Sequence, residues 1–403
     1  MTETGTENLL KIYKEEMYAE LNNILSYWTK NTCDNLNGGF IGRIDERNIP
    51  YTDSPKGAVL NSRILWAFSE AYSITKNEEH LHIARVAYNY LASNFIDKKY
   101  GGVYWALNAD GTPLDSKKQV YAIAFAVYGC CSFFKVSGTA AAKSIAIELF
   151  TTIEQYSYDE KYTGYLEAFT VDWKQVDDLR LSKKDANEKK TMNTHLHILE
   201  AYTSLYLIWP NEIVKEKIVK LVKNFTDHII DANTHHLTLF FNEQWTLRST
   251  TISYGHDIEA AWLIQEAANT IKEFPLINRI KILSAKLADA ASQGLDEDGS
   301  LWYEYKSSEN FYIKEKHWWV QAEAMVGFFN SWQITGEQVY LTRSFKVWEY
   351  VKYFIMDHQY GEWLWGRNED GTIMDKQDKV GIWKCPYHNS RACIEIIKRI
   401  NNI

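Results

Sequence analysis

Six segments of the chain are apolar on most faces, and the segments between them carry one apolar stripe and one charged face. The first set covers residues 62–72, 121–128, 195–202, 256–268, 318–325 and 388–397. Helices apolar all round are predicted to be buried. The second set, typified by residues 211–230 and 276–291, predicts outer helices with one wet face.

Short glycine and aromatic clusters punctuate this alternation. They begin at Gly38, Gly101, Gly164, Leu237, Gly299 and Gly361, separated by 63, 63, 73, 62 and 62 positions. Spacing this regular, with two helices per interval, predicts six similar units. Turn sequences such as Asn108-Ala-Asp-Gly-Thr-Pro113 and Asn368-Glu-Asp-Gly-Thr372 separate short alternating aromatic stretches, as hairpin loops do. The predicted fold is an all-α (α/α)6 barrel of six inner and six outer helices, with short β-hairpins at its mouth. The inner helices run parallel, so their N-termini open on one side. Unpaired N–H groups and partial positive charge there suit a developing oxyanion. The competing architecture is an open helical solenoid with an extended groove.

Composition adds constraints. Only six prolines occur and no Pro-, Ser- or Gly-rich linker interrupts the chain, so residues 1–403 are read as one catalytic domain. A net charge of −8, from 44 basic and 52 acidic residues, argues against a nucleic-acid surface, and no basic run suggests anionic lipid. The longest apolar run, residues 121–134, is shorter than the roughly 18 residues a spanning helix needs. The N-terminus is polar and lacks a signal-peptide core. A cytoplasmic monomer that touches no membrane is expected. The five cysteines include the adjacent pair Cys130-Cys131 and no Cys-x-x-Cys, which fits neither a disulfide framework nor a zinc knuckle. Cys385 lies three residues from His388, yet buried filler is the commoner role of a free cysteine.

Candidate chemistry gathers at the predicted mouth. Of the 15 Trp, 26 Tyr and 17 Phe, many fall at helix starts and hairpins, among them Trp302, Tyr303, Trp319, Trp365 and Trp383. Flat amphipathic rings stack on the C–H faces of sugars, so a mono- or disaccharide is the expected partner. Imidazoles titrate near neutrality and can take and return protons, and His256 and His388 open two apolar helices far apart in sequence. His197 precedes Glu200 by three residues, as His256 precedes Glu259; that spacing puts each pair on one helix face, where the carboxylate can fix the imidazole tautomer. Arg63 stands near a fourth helix start. Zinc or iron could use three histidines and a glutamate, but no close-spaced ligand motif such as His-Glu-x-x-His occurs. Neither Gly-rich phosphate motif is present.

Four motifs occur in order: Met192-Asn-Thr-His-Leu-His-Ile-Leu-Glu-Ala-Tyr-Thr203, Ser253-Tyr-Gly-His-Asp-Ile-Glu-Ala260, Trp318-Trp-Val-Gln-Ala-Glu323 and Trp383-Lys-Cys-Pro-Tyr-His-Asn389. Together they resemble the N-acylglucosamine 2-epimerase superfamily, and most closely its cellobiose 2-epimerase branch, from about Leu21 onward. The resemblance implies inversion at C2 of a reducing-end sugar without metal or redox cofactor. Carried over motif by motif, the implied site is Arg63, Tyr121, Asn193, His197, His256, Glu259, Trp319, Trp383 and His388. His195 is left to a supporting or exposed position. Trp302 and Tyr303 are candidates for holding a second sugar. Alternatives are mannose 2-epimerisation, N-acylglucosamine 2-epimerisation or aldose–ketose isomerisation within the superfamily. From a different class, an (α/α)6 glycoside hydrolase would use two carboxylates drawn from Glu259, Glu304, Glu323 and Glu362.

Overall fold

The computed structural model describes Glu3–Ile403. Met1 and Thr2, part of the polar N-terminus, lie outside the described residues. Twelve α-helices occur among the described residues. The outer ones are α1 (Glu3–Asn31), α3 (Glu78–Tyr90), α5 (Ala140–Tyr156), α7 (Glu212–Asn224), α9 (Phe274–Ala291) and α11 (Gln338–Tyr350). The inner ones are α2 (Ala58–Thr75), α4 (Val120–Ser137), α6 (Met192–Ile208), α8 (Tyr254–Ile271), α10 (Trp318–Thr335) and α12 (His388–Asn401). Each inner helix packs on the next, and α12 returns to α2. That closure makes a barrel and excludes the solenoid.

Local chemistry explains the alternation. Lys76, Gly138, Lys272 and Gly336 adopt left-handed conformations just after inner helices, which ends each helix in a tight corner. The next helix then runs back antiparallel outside. Asn77 and Asn211 start two of these outer helices by accepting the backbone N–H groups of Glu79 (3.0 Å) and Ile213 (2.9 Å). Inner helices begin earlier than the apolar pattern suggested, at Ala58 rather than 62 and at Met192 rather than 195, because a short strand delivers the chain straight into the first turn. Similarly, α4 is longer than its apolar run. Its 18 residues are long and apolar enough to cross a membrane, yet 78% of them are buried within the barrel.

The hairpins are present, but their main pairing is between units rather than within them. Lys56–Gly57 pairs with Ala106–Leu107, Lys118–Gln119 with Ala168–Phe169, Lys190–Thr191 with Phe240–Phe241, Thr251–Ser253 with Glu304–Lys306, and Lys316–His317 with Gly366–Arg367. Ile44 bridges Val380 across the remaining gap. Short antiparallel ladders therefore ring one end of the barrel.

A repeated ion pair fastens five of the six units, a feature absent from the sequence reading. Lys56, Lys118, Lys190 and Lys316 each sit two residues before an inner helix and reach an aspartate in the turn that follows the preceding outer helix. The distances are 2.7 Å to Asp34, 2.6 Å to Asp97, 2.7 Å to Asp159 and 2.9 Å to Asp296. Lys379 pairs with Asp357 in the sixth unit. Buried ion pairs hold only when their remaining polar atoms are also satisfied. Here each of these turn aspartates also accepts at least one backbone N–H, as Asp97 does from Lys99 and Tyr100.

Candidate active site

The N-terminal halves of the inner helices bring together side chains from across the sequence. Arg63 comes from α2, Tyr121 from α4, His197 and Glu200 from α6, His256 and Glu259 from α8, Trp319 and Glu323 from α10, and His388 and Arg391 from α12. Arg63, Tyr121, His197, Glu259, Glu323 and Arg391 are at most 3% exposed and His388 is 7% exposed; they form a floor. Asn193, His256, Tyr303, Trp319 and Trp383 remain half-buried and form the rim.

The indole of Trp319 packs against two imidazoles, with ring centroids 4.7 Å from His256 and 5.8 Å from His388. Trp383 packs 5.9 Å from Tyr121, whose ring meets His197 edge-on at 5.1 Å. In all three histidines Nδ1 is engaged: by Ser253 Oγ at 2.8 Å for His256, Glu323 Oε1 at 2.7 Å for His388 and Glu200 Oε2 at 2.9 Å for His197. Opposite an ionised carboxylate, Nδ1 carries the proton and Nε2 keeps its lone pair. The His197–Glu200 pair matches the sequence expectation.

The His256–Glu259 pair does not. Glu259 turns away from the imidazole to accept from Arg391 Nη2, because a buried carboxylate gains more from a guanidinium than from a neutral ring. Arg391 is the residue the sequence reading missed. Its Nη1 bonds Glu200 and the Tyr387 hydroxyl, and its Nη2 bonds Glu259 and Glu323, the last at 2.6 Å. One guanidinium thus ties together the carboxylates behind His197 and His388. Glu323 also accepts from Trp262 Nε1 at 3.1 Å.

Electrostatics follow this wiring. Burial opposes ionisation of Glu200, but Arg391 and His197 outweigh it and hold its pKa at about 2. Burial and the adjacent Glu323 push Glu259 up to about 7, with Arg391 only partly offsetting them. Burial drives His256 down to about 3, and drives His388 well below its ordinary value with help from Arg63 and Arg391. Both are therefore neutral at physiological pH. Arg63 is clamped between Phe125 (4.1 Å) and Tyr387 (4.6 Å) and donates to the Tyr121 hydroxyl at 2.8 Å.

Four remaining sequence candidates are placed as follows. His195 is fully buried, neither exposed nor in the site; Nδ1 contacts Thr191 O at 2.7 Å and Nε2 accepts from Tyr165 N at 2.9 Å. Tyr303 stacks on His317 at 4.0 Å and meets Trp319 edge-on at 6.3 Å, which places it on the rim. Trp302 turns elsewhere, donating to Asp296 at 2.9 Å and packing on Tyr312. Cys385 is buried, with burial raising its thiol pKa.

Glu259, Glu323 and His388 bring ligand atoms within 4.8 Å of one another, a spacing a metal could use. Arg391 Nη2 already bonds both carboxylates, and His388 Nδ1 is engaged by Glu323. The cationic position is thus supplied by the protein itself, which fits a divalent ion poorly.

Residues 39–392 match the family model for N-acylglucosamine 2-epimerase. The chain belongs to the N-acylglucosamine 2-epimerase family. Within that family, a cellobiose 2-epimerase of Bacteroides fragilis is 46% identical over 390 residues, covering 96% of this chain and 99% of that one. The solved cellobiose 2-epimerase of Bacillus thermoamylovorans superposes with a TM-score of 0.93 at 37% identity, covering 96% and 100% of the two chains. A D-mannose isomerase of Marinomonas mediterranea is 23% identical, covering 92% and 93%. The span matched by the family model takes in every floor and rim residue named above.

Proposed function

We propose that the protein inverts C2 of the reducing-end glucose of cellobiose and related β-1,4-linked disaccharides, as one catalytic unit requiring neither metal nor redox cofactor. The observation that carries this reading is the placement of His256 and His388 against one Trp319 ring. Two imidazoles packed on one indole can bracket C2 of a sugar held against that ring.

The C2 proton becomes acidic only in the open-chain aldehyde, so ring opening must first move a proton between O5 and O1. One imidazole then takes the C2 proton, giving an enediolate. The other, which takes up a proton from solvent as the sugar enters, delivers it to the opposite face, so the pair exchanges charge while the proton count is unchanged. Arg63 supplies fixed positive charge for the enediolate oxygen, and His197, its Nδ1–H held by Glu200, presents Nε2 as an acceptor for a sugar hydroxyl. Glu323 stabilises the imidazolium that His388 forms in one half of the cycle. Asn193 Oδ1 and Arg63 Nε are buried without a protein partner, which suits a hydroxyl-rich ligand.

Hydrolysis is disfavoured by the same wiring. Glu259 and Glu323 are both drawn to Arg391, rather than facing each other across a cleft as an acid and base would. Incubation with cellobiose in deuterated water tests the proposal: glucosyl-mannose carrying deuterium at C2 is expected, and free glucose would overturn it. Asn replacement of His256 or His388 should each leave less than about a tenth of turnover, a loss above ~1.4 kcal/mol. Preference for free mannose or glucose over cellobiose by kcat/KM would shift the assignment to a monosaccharide epimerase.

A further inference from the structure

Five of the six units share the lysine tie to the aspartate turn, and the unit that breaks the pattern is the one that presents His256. Two residues before α8 stands Ile252, where four other units have lysine. Asp231, the turn aspartate of this unit, accepts only from its own turn: Asn233 N at 3.0 Å, Thr234 N at 2.8 Å and Thr234 Oγ1 at 3.0 Å. The tie is rebuilt with its polarity reversed. Asp257, fourth in α8 and fully buried, accepts from His236 Nδ1 at 2.7 Å and from Leu237 N at 2.8 Å.

The same helix position serves as a rung in two neighbouring units. Gln321, fourth in α10, exchanges hydrogen bonds with the backbone of Leu301 at 2.9 and 2.8 Å, and His195, fourth in α6, accepts from Tyr165 N at 2.9 Å. Among the described residues, in α8 alone is the rung joined to a second, buried side chain on the hairpin. His256 immediately precedes it. His388 is anchored by a carboxylate from another helix, whereas His256 has only Ser253 Oγ, one turn back on its own chain segment. The placement of His256 therefore depends on how firmly the first turn of α8 is held.

We propose that Asp257 and His236 are a positioning pair for His256, fixing the first turn of α8 so that its imidazole meets the sugar at C2. This rests on the assignment of His256 as a proton-transfer residue. Misplacing a reacting group by about 1 Å can cost up to ~100-fold in rate, while contacts that only bind substrate are left intact.

The test compares Asp257→Asn, His236→Leu and His236→Asn with Lys379→Met, which cuts the tie of the sixth unit. For each, kcat, KM, melting temperature and the isotope effect of C2-deuterated substrate are measured from both epimers. Asp257→Asn and His236→Leu should lower kcat by roughly tenfold or more with KM within about twofold. The isotope effect should rise in one direction only, the one in which His256 removes the proton. His236→Asn retains an N–H where Nδ1–H stood and should keep kcat within about twofold. Lys379→Met should lower the melting temperature and spare kcat. Unchanged kcat in Asp257→Asn and His236→Leu, or an equal kcat loss in Lys379→Met, would overturn the proposal. Should Asp257→Asn not fold, the two His236 variants decide alone. His256→Asn is run alongside: if it keeps turnover the base assignment itself fails, whereas its inactivity beside fully active Asp257→Asn and His236→Leu refutes only the positioning pair.

Discussion

Replacing Glu323 with Gln probes how much of the chemistry depends on a carboxylate behind His388. Oε1 accepts from His388 Nδ1 at 2.7 Å and Arg391 Nη2 at 2.6 Å, and Oε2 accepts from Trp262 Nε1 at 3.1 Å. Both oxygens face donors, so the amide nitrogen of glutamine opposes an N–H in either orientation. One hydrogen bond is lost, costing about 1–3 kcal/mol of stability. Arg391 keeps Glu200 and Glu259, so the core still closes. The larger consequence is chemical, because His388 becomes a cation when it holds the C2 proton. A charge-assisted hydrogen bond contributes about 1.5–3 kcal/mol against about 0.5–1.5 for a neutral one, so losing the charge should lower kcat by roughly 5- to 15-fold. KM should change little, since neutral His388 binds as before. Initial rates of glucosyl-mannose formation at saturating cellobiose, with a melting curve on the same sample, measure both effects. A kcat within about twofold of the parent, or a loss confined to KM, would refute the role given to Glu323.

Dialysis against a strong chelator should leave turnover unchanged; stoichiometric zinc, iron or manganese whose removal abolishes activity would restore the ligand reading of Glu259, Glu323 and His388. Tyr303→Ala should weaken cellobiose several-fold while sparing mannose, since aromatic contacts of this kind are worth about 1 kcal/mol. Trp302→Phe should alter KM for neither, and a matching loss there would show that Trp302 reaches substrate. Glu167, buried and accepting from Thr191 N at 2.9 Å and Thr194 Oγ1 at 2.6 Å, is pushed by burial to about 8. Because its folded pKa lies above the unfolded value, its contribution is complete below the unfolded pKa and is lost as pH rises towards 8. Glu167→Gln should therefore raise the melting temperature at pH 8 relative to the parent, with the gain fading towards pH 4; an equal shift at both pH values would contradict the cause given.

The fold was legible because it repeats. Glycine clusters near 63-residue intervals and all-round apolar helices encode six units locally, and barrel closure follows from stacking them. The His197–Glu200 pair was equally readable, since three residues along a helix fix a shared face. What escaped was every partnership set by the ring rather than the helix. Arg391 and Glu200 are 191 positions apart, and His388 and Glu323 are 65 apart. No spacing rule joins them. The same blindness produced the false His256–Glu259 pair: helix geometry permitted it, and a guanidinium from α12 took the carboxylate instead. The buried lysines were overlooked because lysine before a helix ordinarily reads as solvated surface.

Arg391 also bears on how the barrel assembles. Glu200, Glu259 and Glu323 arise on α6, α8 and α10, and until α12 docks they face one another without the guanidinium that joins them. Three carboxylates converging in an apolar interior repel strongly, so an eleven-helix intermediate should splay at this end and resist collapse into a sealed, inactive core. The final helix delivers the counter-charge and His388 together. Maturation of the pocket and completion of the ring are then a single event, and the slow step of folding should be the docking of α12 between α10 and α2, which closes the ring across most of the chain.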